Sequence, residues 1–470
     1  MASDVAQPRK CRLTDAERKM LQGSWPMDLL EDPTTQPRYV DTAYEFVREL
    51  LIGQHLEDFL ILPNGTELLD LSFEDSMPQD IQEILQGCRT ARDFVKRLRD
   101  RPEMVEKYRA DVEYMDTRRQ QRDILRKEKY NLAKRIDLAL EMTEDGRADP
   151  RLLYVAEMRQ KREAPHPIGG EEVKTVCLRD MKDLLGPYAP WTLYWDRYDE
   201  GFFVGSRPSG KGVHVDQVLW SNVGRNFGGY KLVAAWPKGE ISKKVADRFY
   251  DTLFTPPLQD EELQALRQAA IIALLRPGDV YLFSGGVAHT VLCVSEEELC
   301  LGVYESFMNL HPVHVEHFLH TDDTTGPYAL DSFSMSLSEL KDTKDDCLDQ
   351  LEDAEEQLRR GGPSAEPPPK RQVSAIWSNI VARLHTDQEV QAALRKFYGE
   401  AVDLCAGDHY FRRQLCPKVL AAGEKCGGTG GKGVNPPARK RRRRTAPGTS
   451  RSPSGSSSYS KSDHVSGNSA

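Results

Sequence analysis

The feature that most constrains the fold is a series of short β-rich runs in the middle of the chain. From residue 172 onward, aromatic and β-branched residues dominate short segments that are separated by turns containing Gly and Pro. Several short strands at such spacing are typical of an all-β sandwich or barrel. We therefore expect strands at residues 192–194, 202–204, 213–218, 230–236, 280–283, 290–294 and 299–307, with a helical insert at 258–275.

The segments on either side have a different composition. The chain has 470 residues, which is too many for one compact core, so several domains are expected. Apolar residues at helical spacing follow residue 39, and residues 103–143 are typical of one or two long charged helices. The sequence predicts a flexible N-terminus at 1–35, a helical region at 36–163, the β-rich domain at 164–326, an acidic helix with a Pro/Gly linker at 327–372, a second helical region at 373–426 and a disordered basic and Ser-rich tail at 427–470.

Charge and cysteine usage exclude some classes of protein. The net charge of -9 argues against binding of nucleic acid by the chain as a whole, and leaves direct contact open only through the basic tail. The nine cysteines form no CxxC pair, and residues 1–25 lack the apolar segment of a secretory signal. We expect free thiols, a reducing compartment and no membrane association.

The candidate chemistry begins with His214 and Asp216, which lie inside one of the predicted strands. Residues two apart on a strand project from the same face, so these side chains can share one ion. A third ligand must come from another strand, and His289 follows the predicted strand at 280–283. Two imidazoles and one carboxylate on one face of an ion, with open positions opposite, are typical of non-haem Fe(II) oxygenases.

Three segments in this order resemble the Jumonji-C (JmjC) family of Fe(II)- and 2-oxoglutarate-dependent oxygenases, in particular its lysyl-hydroxylase and arginine-demethylase branch. The segments are FFVGSRPSGKGVHVD at 202–216, GYKLVAAWP at 229–237 and RPGDVYLFSGGVAHTVL at 276–292. The resemblance covers about residues 172–320. It implies a double-stranded β-helix, the cupin-type jelly-roll barrel, with helical additions before and after it and a mixed α and β composition.

The resemblance also implies a set of site residues. His214, Asp216 and His289 would bind Fe(2+), with 2-oxoglutarate and O2 as co-substrates, and Lys231 would pair with the distal carboxylate of 2-oxoglutarate. Lys211 is a second candidate, because it stands where this branch usually has a co-substrate-binding Thr. Two further positions differ from the pattern of this branch. Gly224 stands where the branch has Asn, and residues 284–287 replace the usual P-x-G-W.

The expected reaction is hydroxylation of a protein side chain, with O2 consumed and succinate and CO2 released. Demethylation of N-methyl-lysine or N-methyl-arginine uses the same triad and remains an alternative. Demethylases often carry zinc-binding reader domains, and no Cys/His cluster of that kind is visible in the sequence. A JmjC-like module that binds without catalysis is the second alternative, against which the intact triad argues.

Other clusters of metal-ligand residue types are weaker candidates. Four histidines spaced by three fan round half of a helix and cannot share one ion; they are His311, His314, His317 and His320. A second group matches no common zinc spacing; it consists of Cys405, His409, Cys416 and Cys426. The Gly-rich residues 427–433 lack the strand and the Ser or Thr of a phosphate loop.

A basic run in the predicted tail suggests a nuclear address. The run follows two prolines and consists of Arg439, Lys440, Arg441, Arg442, Arg443 and Arg444. An accessible basic segment of this length is typical of sequences that nuclear-import receptors bind. We therefore expect a nuclear protein, otherwise a cytoplasmic one, whose substrate is a protein and could be a basic nuclear one that the acidic stretch at 342–356 holds nearby.

Overall fold

A computed structural model describes the chain at residues 13–54, 59–114, 131–161, 173–194, 201–216, 221–284, 286–320, 337–363 and 374–411. These residues belong to one compact unit, Met1–Lys418; the second unit, Val419–Ala470, lies outside the described residues. None of the described helices is both long enough and apolar enough to cross a bilayer.

The helices and strands are numbered here in chain order. The strands are β1 Arg38–Tyr39, β2 Phe59–Leu62, β3 Tyr108–Glu113, β4 Tyr154–Lys161, β5 Val173–Thr175, β6 Thr192–Tyr194, β7 Phe202–Gly205, β8 Gly210–His214, β9 Ser221–Gly228, β10 Lys231–Ala235, β11 Ile271–Leu275, β12 Val280–Ser284, β13 His289–Cys293 and β14 Cys300–Asn309. The helices are α1 Asp15–Leu21, α2 Met27–Leu30, α3 Ala43–Ile52, α4 Gly65–Leu68, α5 Phe73–Ser76, α6 Gln79–Leu85, α7 Ala91–Arg99, α8 Pro102–Lys107, α9 Leu132–Glu144, α10 Met181–Leu185, α11 Glu240–Phe249, α12 Asp260–Leu266, α13 Pro312–Leu319, α14 Leu337–Arg359, α15 Ala375–Thr386 and α16 Gln388–Gly407.

The strands form two sheets, which confirms the predicted mixed α and β composition. The large sheet has the order β1-β2-β12-β9-β14-β7-β4-β3, with β5 beside β4 and β6 beside β14, and the small sheet has the order β11-β10-β13-β8. All pairs are antiparallel except β1 with β2. The arrangement is consistent with a jelly roll. Within the described residues, however, the two sheets do not close into the barrel that the sequence predicts.

An aromatic-rich core fills the interior between the two sheets. It combines inward side chains of the large sheet, such as Phe59, Tyr281 and Tyr304, with Val233 and Val291 of the small sheet. Residues two apart on a strand point to the same face, so the alternate residues of each strand face outward. Helices cover those outer faces: α3, α15 and α16 pack in one cluster, α7 and α9 in a second, and α11 and α12 in a third.

The N-terminal segment is ordered from residue 13, contrary to the prediction of a flexible stretch at 1–35. A capping box between Thr14 and Glu17 starts α1, and Leu21 and Trp25 are buried against the small sheet. The Trp25 indole N–H donates to the Phe254 carbonyl at 2.8 Å. Burial of two large apolar side chains outweighs the tendency of the Pro, Asp and Thr residues in this segment to form loops.

The region at 36–163 is not purely helical, and four of its segments are strands of the large sheet. The predicted long charged helices at 103–143 are wrong at 108–113, where β3 follows directly after α8. Tyr108, Ala110 and Val112 are alternate residues of β3, and their side chains pack in the cluster that contains α7 and α9. This period of two is a strand signal. Residues 115–130 of that prediction lie outside the described residues.

The predicted helical insert at 258–275 is wrong in its second half. Only Asp260–Leu266 is helical, while Ile271–Leu275 is β11, which pairs with β10 along its whole length. A short apolar run is compatible with either structure when only its spacing is known. Pairing with β10 makes this segment a strand and not a helix. The β-rich domain therefore extends beyond 164–326, because β1 to β4 also belong to its sheets.

Candidate metal centre

Two adjacent strands of the small sheet bring the two candidate histidines together. In the antiparallel pair of β8 and β13, His214 lies directly opposite His289. Their ring centroids are 4.1 Å apart. Because antiparallel partners in register project from the same face of a sheet, both imidazoles point into the interior.

Asp216 completes a compact group with these rings. Its Oδ1 lies 3.4 Å from His214 Nε2, and its Oδ2 lies 3.8 Å from His289 Nε2. One ligand atom from each of the three residues lies within 4.8 Å of the others, and no other group of His, Cys, Asp or Glu in the described part of the chain is placed to hold a metal ion. The three residues can hold a metal ion, and the donor set matches the two-His, one-carboxylate facial triad.

Backbone carbonyls fix the histidine tautomers in the form that a metal needs. His214 Nδ1 lies 2.8 Å from the Gly212 carbonyl, and His289 Nδ1 lies 3.0 Å from the Val287 carbonyl. Since a carbonyl only accepts hydrogen bonds, each Nδ1 carries the proton and each Nε2 keeps a lone pair. Such a bond behind the ring is the usual support of a metal-binding histidine.

Burial sets the charge of the group. Burial, together with the neighbouring His214, lowers the pKa of His289 to about 4, so that this ring is neutral at pH 7. Burial alone would raise the pKa of Asp216, but His289, His214 and the Asn222 amide outweigh it, and the pKa is lowered. The site therefore offers an ionised carboxylate, as binding of a divalent cation requires.

A side chain not chosen from the sequence orients the carboxylate. The Asn222 amide donates to Asp216 Oδ2, and the Ser306 hydroxyl donates to Asn222 Oδ1 at 2.8 Å. Asn222 and Ser306 are register partners on β9 and β14. A strand at 221–228 was not predicted, so the alternation that points Asn222 inward could not be used.

Lys231, the predicted partner of the co-substrate carboxylate, faces the same interior. It is fully buried, and its Nζ makes no hydrogen bond to any described residue. Burial lowers its pKa, against the opposing influence of Cys293 and Cys300. A buried ammonium without a counter-ion is costly, so this position is suited to an anion that enters from outside.

Lys211 also faces the interior, because β8 carries a β-bulge. Lys211 is paired with Val291 and His214 with His289, so one extra residue of β8 lies between these pairs. The Lys211 ammonium forms an ion pair with Glu113 of β3. Burial would lower the pKa of Lys211, but the Glu113 and Glu157 carboxylates raise it overall. A protein counter-ion thus occupies the second candidate for co-substrate binding.

Gly224, which stands where the JmjC branch has Asn, is packed against an aromatic ring. A Cβ at this position would lie 2.2 Å from Tyr281 Cζ, and Tyr281 is its register partner on β12. The phenol ring occupies the space of the missing side chain. A tyrosine ring therefore stands where the branch has the Asn side chain.

The remaining sequence candidates are not brought to the triad. His311 caps α13, and the other three histidines of that series lie on or just after this helix, as predicted. Cys405 is buried in the helical core, while Cys416 and Cys426 lie outside the described residues, as does the basic run at 439–444.

Comparison with known proteins adds little. No model of a known protein family matches the sequence, and no curated protein matches it. A solved structure of YcfD, a ribosomal oxygenase from Escherichia coli, aligns with 66% of this chain and 67% of its own chain, at 10% identity and a TM-score of 0.25. A structural similarity at this TM-score supports no functional assignment. The chemistry of the site is therefore inferred from its geometry.

Proposed function

We propose that the chain is an Fe(II)- and 2-oxoglutarate-dependent oxygenase that hydroxylates a protein side chain. The observation that carries this proposal is the buried group of His214, Asp216 and His289, whose two Nε2 atoms face one carboxylate. Three protein ligands on one side of an ion leave coordination positions for exogenous ligands. When bound, Fe(II) and 2-oxoglutarate supply the electrons that reduce O2, and 2-oxoglutarate leaves as succinate and CO2.

The buried lysine separates this proposal from simple metal-dependent hydrolysis. A triad of two His and one carboxylate also suits catalytic zinc, but such a site has no need of a cation deep in an apolar interior. Lys231 is fully buried and makes no hydrogen bond to a described residue. A dicarboxylate that reaches from the metal to Lys231 would supply the missing counter-ion. This pairing supports a 2-oxoglutarate-type co-substrate.

The protein would hold the metal ligands in place, orient the bound groups and exclude water from the site. Asn222 and Ser306 keep the Asp216 carboxylate in place, and the Phe283 ring contacts His289 edge to face at a centroid distance of 5.1 Å. The interior beyond is lined by aromatic side chains, which exclude bulk water from the site. No protein acid or base is assigned, because the iron and its co-substrates would supply the chemistry of C–H cleavage.

Demethylation of N-methyl-lysine or N-methyl-arginine is the alternative within the same chemistry. Hydroxylation of an N-methyl group releases formaldehyde, whereas hydroxylation of a side-chain carbon leaves a stable product. A binding module without catalysis is the other alternative, and it gives no co-substrate turnover.

One experiment separates these three functions. The full-length chain is loaded with Fe(II) and 2-oxoglutarate under anaerobic conditions, exposed to O2 in the presence of a peptide library, and assayed for succinate and formaldehyde. Peptide-stimulated succinate with a +16 Da peptide product is expected. Formaldehyde would indicate a demethylase, and absence of both 2-oxoglutarate binding and succinate would overturn the oxygenase proposal.

We also propose a nuclear location and a protein substrate, which could itself be a basic nuclear protein. The support is the basic run at 439–444, a segment that an import receptor can bind. The acidic stretch at 342–356 would attract a basic substrate by charge.

A further inference from the structure

A segment between β10 and β11 contacts the backbone beside both candidate histidine ligands. It consists of α11 and the turn that follows, residues 240–252, and is called the α11 segment here. The buried face of α11 packs in one cluster with Val213 and Ala288. Val213 directly precedes His214, and Ala288 directly precedes His289. One helix therefore shares a core with the residue before each histidine.

The first end of the α11 segment holds the backbone before His289. Ser242 lies in the first turn of α11 and is buried, and its hydroxyl oxygen accepts the Ala288 N–H. That N–H belongs to the same peptide group as the Val287 carbonyl, which lies 3.0 Å from His289 Nδ1. The Ser242 hydroxyl, one peptide group and the imidazole therefore form a continuous series of hydrogen bonds.

The other end of the segment holds the backbone before His214 in the same way. The Val213 N–H donates to the Thr252 carbonyl at 2.8 Å, and the Asp251 N–H donates to the Val213 carbonyl at 2.8 Å. The Val213 N–H belongs to the same peptide group as the Gly212 carbonyl, which lies 2.8 Å from His214 Nδ1. Each histidine is thus supported by a peptide group whose N–H is bound by the α11 segment.

Two residues make the close approach to β8 possible. An added Cβ at Gly212 would lie 2.5 Å from the Asp251 carbonyl carbon and 2.6 Å from its oxygen, so a residue with a side chain would push the two backbones apart. Asp251 has a φ of 56°, in the left-handed region that Asp adopts more readily than most residues. This conformation occurs where the chain after α11 meets β8, next to the β-bridge between Tyr250 and Val213.

Each of these N–H contacts fixes the direction of a carbonyl. The peptide group is planar, so a bound N–H also determines where the C=O of the same group points. Each of the two carbonyls accepts the Nδ1–H of a histidine ring and so sets the direction of its Nε2 lone pair. Hydrogen bonds in series polarise one another, so the bound N–H also makes the carbonyl a stronger acceptor and the imidazole a stronger base. Both effects act on metal binding as well as on the stability of the fold.

We propose that Ser242 is a positioning residue for His289, and that the Thr252 carbonyl has the same role for His214. The α11 segment braces both imidazoles through two peptide groups and holds their Nε2 atoms in the orientation that one metal ion requires. This rests on the proposed function, because it requires the two histidines to bind a metal. The side chain of Ser242 can be replaced without a change to any metal ligand, and the proposal can therefore be tested at this residue.

The first test is calorimetric titration of the metal-free, full-length chain with Co2+. Ser242→Ala removes the acceptor of the Ala288 N–H and should weaken Co2+ binding roughly tenfold, the lower end of the range for contacts behind a metal ligand. Ser242→Thr keeps the hydroxyl and should bind Co2+ as wild type does. Ser206→Ala is the matched control, because it takes the acceptor from the Ala91 N–H at the start of α7; it should leave Co2+ affinity unchanged. Equal affinities of wild type and Ser242→Ala, or equal losses in Ser242→Ala and Ser206→Ala, would overturn the proposal.

The second test is proton NMR of the Co2+-loaded chain, in which the paramagnetic ion shifts the ring N–H resonances of its histidine ligands away from all others. Wild type should show two such resonances, each exchanging slowly with solvent because a carbonyl accepts it. Ser242→Ala should speed the exchange of one, and Gly212→Ala, which displaces the backbone of Asp251, should speed the exchange of the other. If wild type binds Co2+ and exchange is unchanged in Ser242→Ala, the role of Ser242 is wrong while the metal site stands. If wild type binds no Co2+, the proposed function is wrong as well.

Discussion

Lys211 of β8 and Glu113 of β3 form a buried ion pair that joins the edge strands of the two sheets. β8 ends the small sheet and β3 ends the large one, and the side chains of Lys211 and Glu113 are only 14% and 9% exposed. The pair thus connects the sheets at a seam where backbone pairing does not. This contact gives Lys211 a role in the fold, whereas Lys231 retains an ammonium that no described residue binds.

The two lysines should therefore respond differently to truncation. Removal of one partner of a buried ion pair costs on the order of 3–5 kcal/mol, so Lys211→Met should lower the free energy of unfolding by about that amount. Lys211→Met/Glu113→Gln should recover much of the loss, because no buried charge is left unpaired. Denaturant unfolding measures both variants.

Lys231→Met should leave stability unchanged and weaken co-substrate binding. It removes a buried ammonium that makes no hydrogen bond to a described residue, so stability should be kept, while 2-oxoglutarate binding should weaken by roughly 100-fold or more. Calorimetric titration with Mn2+ present measures the co-substrate, and Mn2+ affinity is the internal control. If Lys211→Met weakens 2-oxoglutarate binding and Lys231→Met does not, the two lysines have exchanged roles.

The triad should be necessary for metal binding. His214→Ala or Asp216→Ala removes one of three ligands and should abolish stoichiometric Fe(II) binding and 2-oxoglutarate turnover. His385→Ala, an exposed histidine on α15, is the matched control and should behave as wild type. Succinate production at the wild-type rate by either triad variant would exclude the assignment.

Asn222 should affect the metal without binding it. Asn222→Ala removes the amide that holds Asp216 Oδ2, and loss of such an outer contact typically lowers metal affinity 10- to 100-fold. Ser306→Ala, one step further away, should have a smaller effect in the same direction. Asn131→Ala is the control: it removes the cap of α9 and should cost about 1 kcal/mol of stability with no change in metal affinity.

The predicted nuclear location of the protein can be tested independently of its enzymatic activity. A fluorescent fusion of the whole chain should accumulate in the nucleus, and replacement of residues 439–444 by Ala should make its distribution even, because the import receptor loses its basic ligand. Replacement of the exposed Arg359 and Arg360, which pair with Glu355 and Glu356 of α14, should have no effect. Equal distributions of the intact chain and the 439–444 variant would remove the support for a nuclear address.

The sequence predicted the parts of the site that depend on local periodicity. His214 and Asp216 are two residues apart, although β8 ends at His214 and not at residue 218 as predicted. The structure brings His289 to them from β13, the neighbouring strand of the small sheet. The bulge in β8 that turns Lys211 inward has no such signal. Its partner Glu113 is 98 residues away in a segment predicted to be helical, and Asn222 lies in an unpredicted strand. Contacts of this kind depend on which strands pair, a long-range property that local spacing does not encode.

The turn that precedes β12 gives a pH-dependent prediction that needs no metal. Burial raises the pKa of Asp279 from 3.8 to about 6, although its carboxylate accepts hydrogen bonds from the backbone N–H groups of Arg276 and Asn64. Because the folded-state pKa is the higher one, the folded chain binds more protons than the unfolded chain between these values. The stabilisation is complete below pH 3.8 and is lost as the pH rises through 6.

Asp279→Asn should abolish this dependence. The amide oxygen still accepts the Arg276 N–H, which now lies 2.8 Å from Asp279 Oδ2, but it cannot ionise. Relative to this variant, wild type should lose up to about 3 kcal/mol of unfolding free energy between pH 4 and pH 7, since each pKa unit corresponds to about 1.4 kcal/mol. Denaturant unfolding of both proteins across this range measures the difference. A constant difference between them would mean that the Asp279 carboxyl has the same pKa in the folded and unfolded chains, and that its burial against the turn is not what raises it.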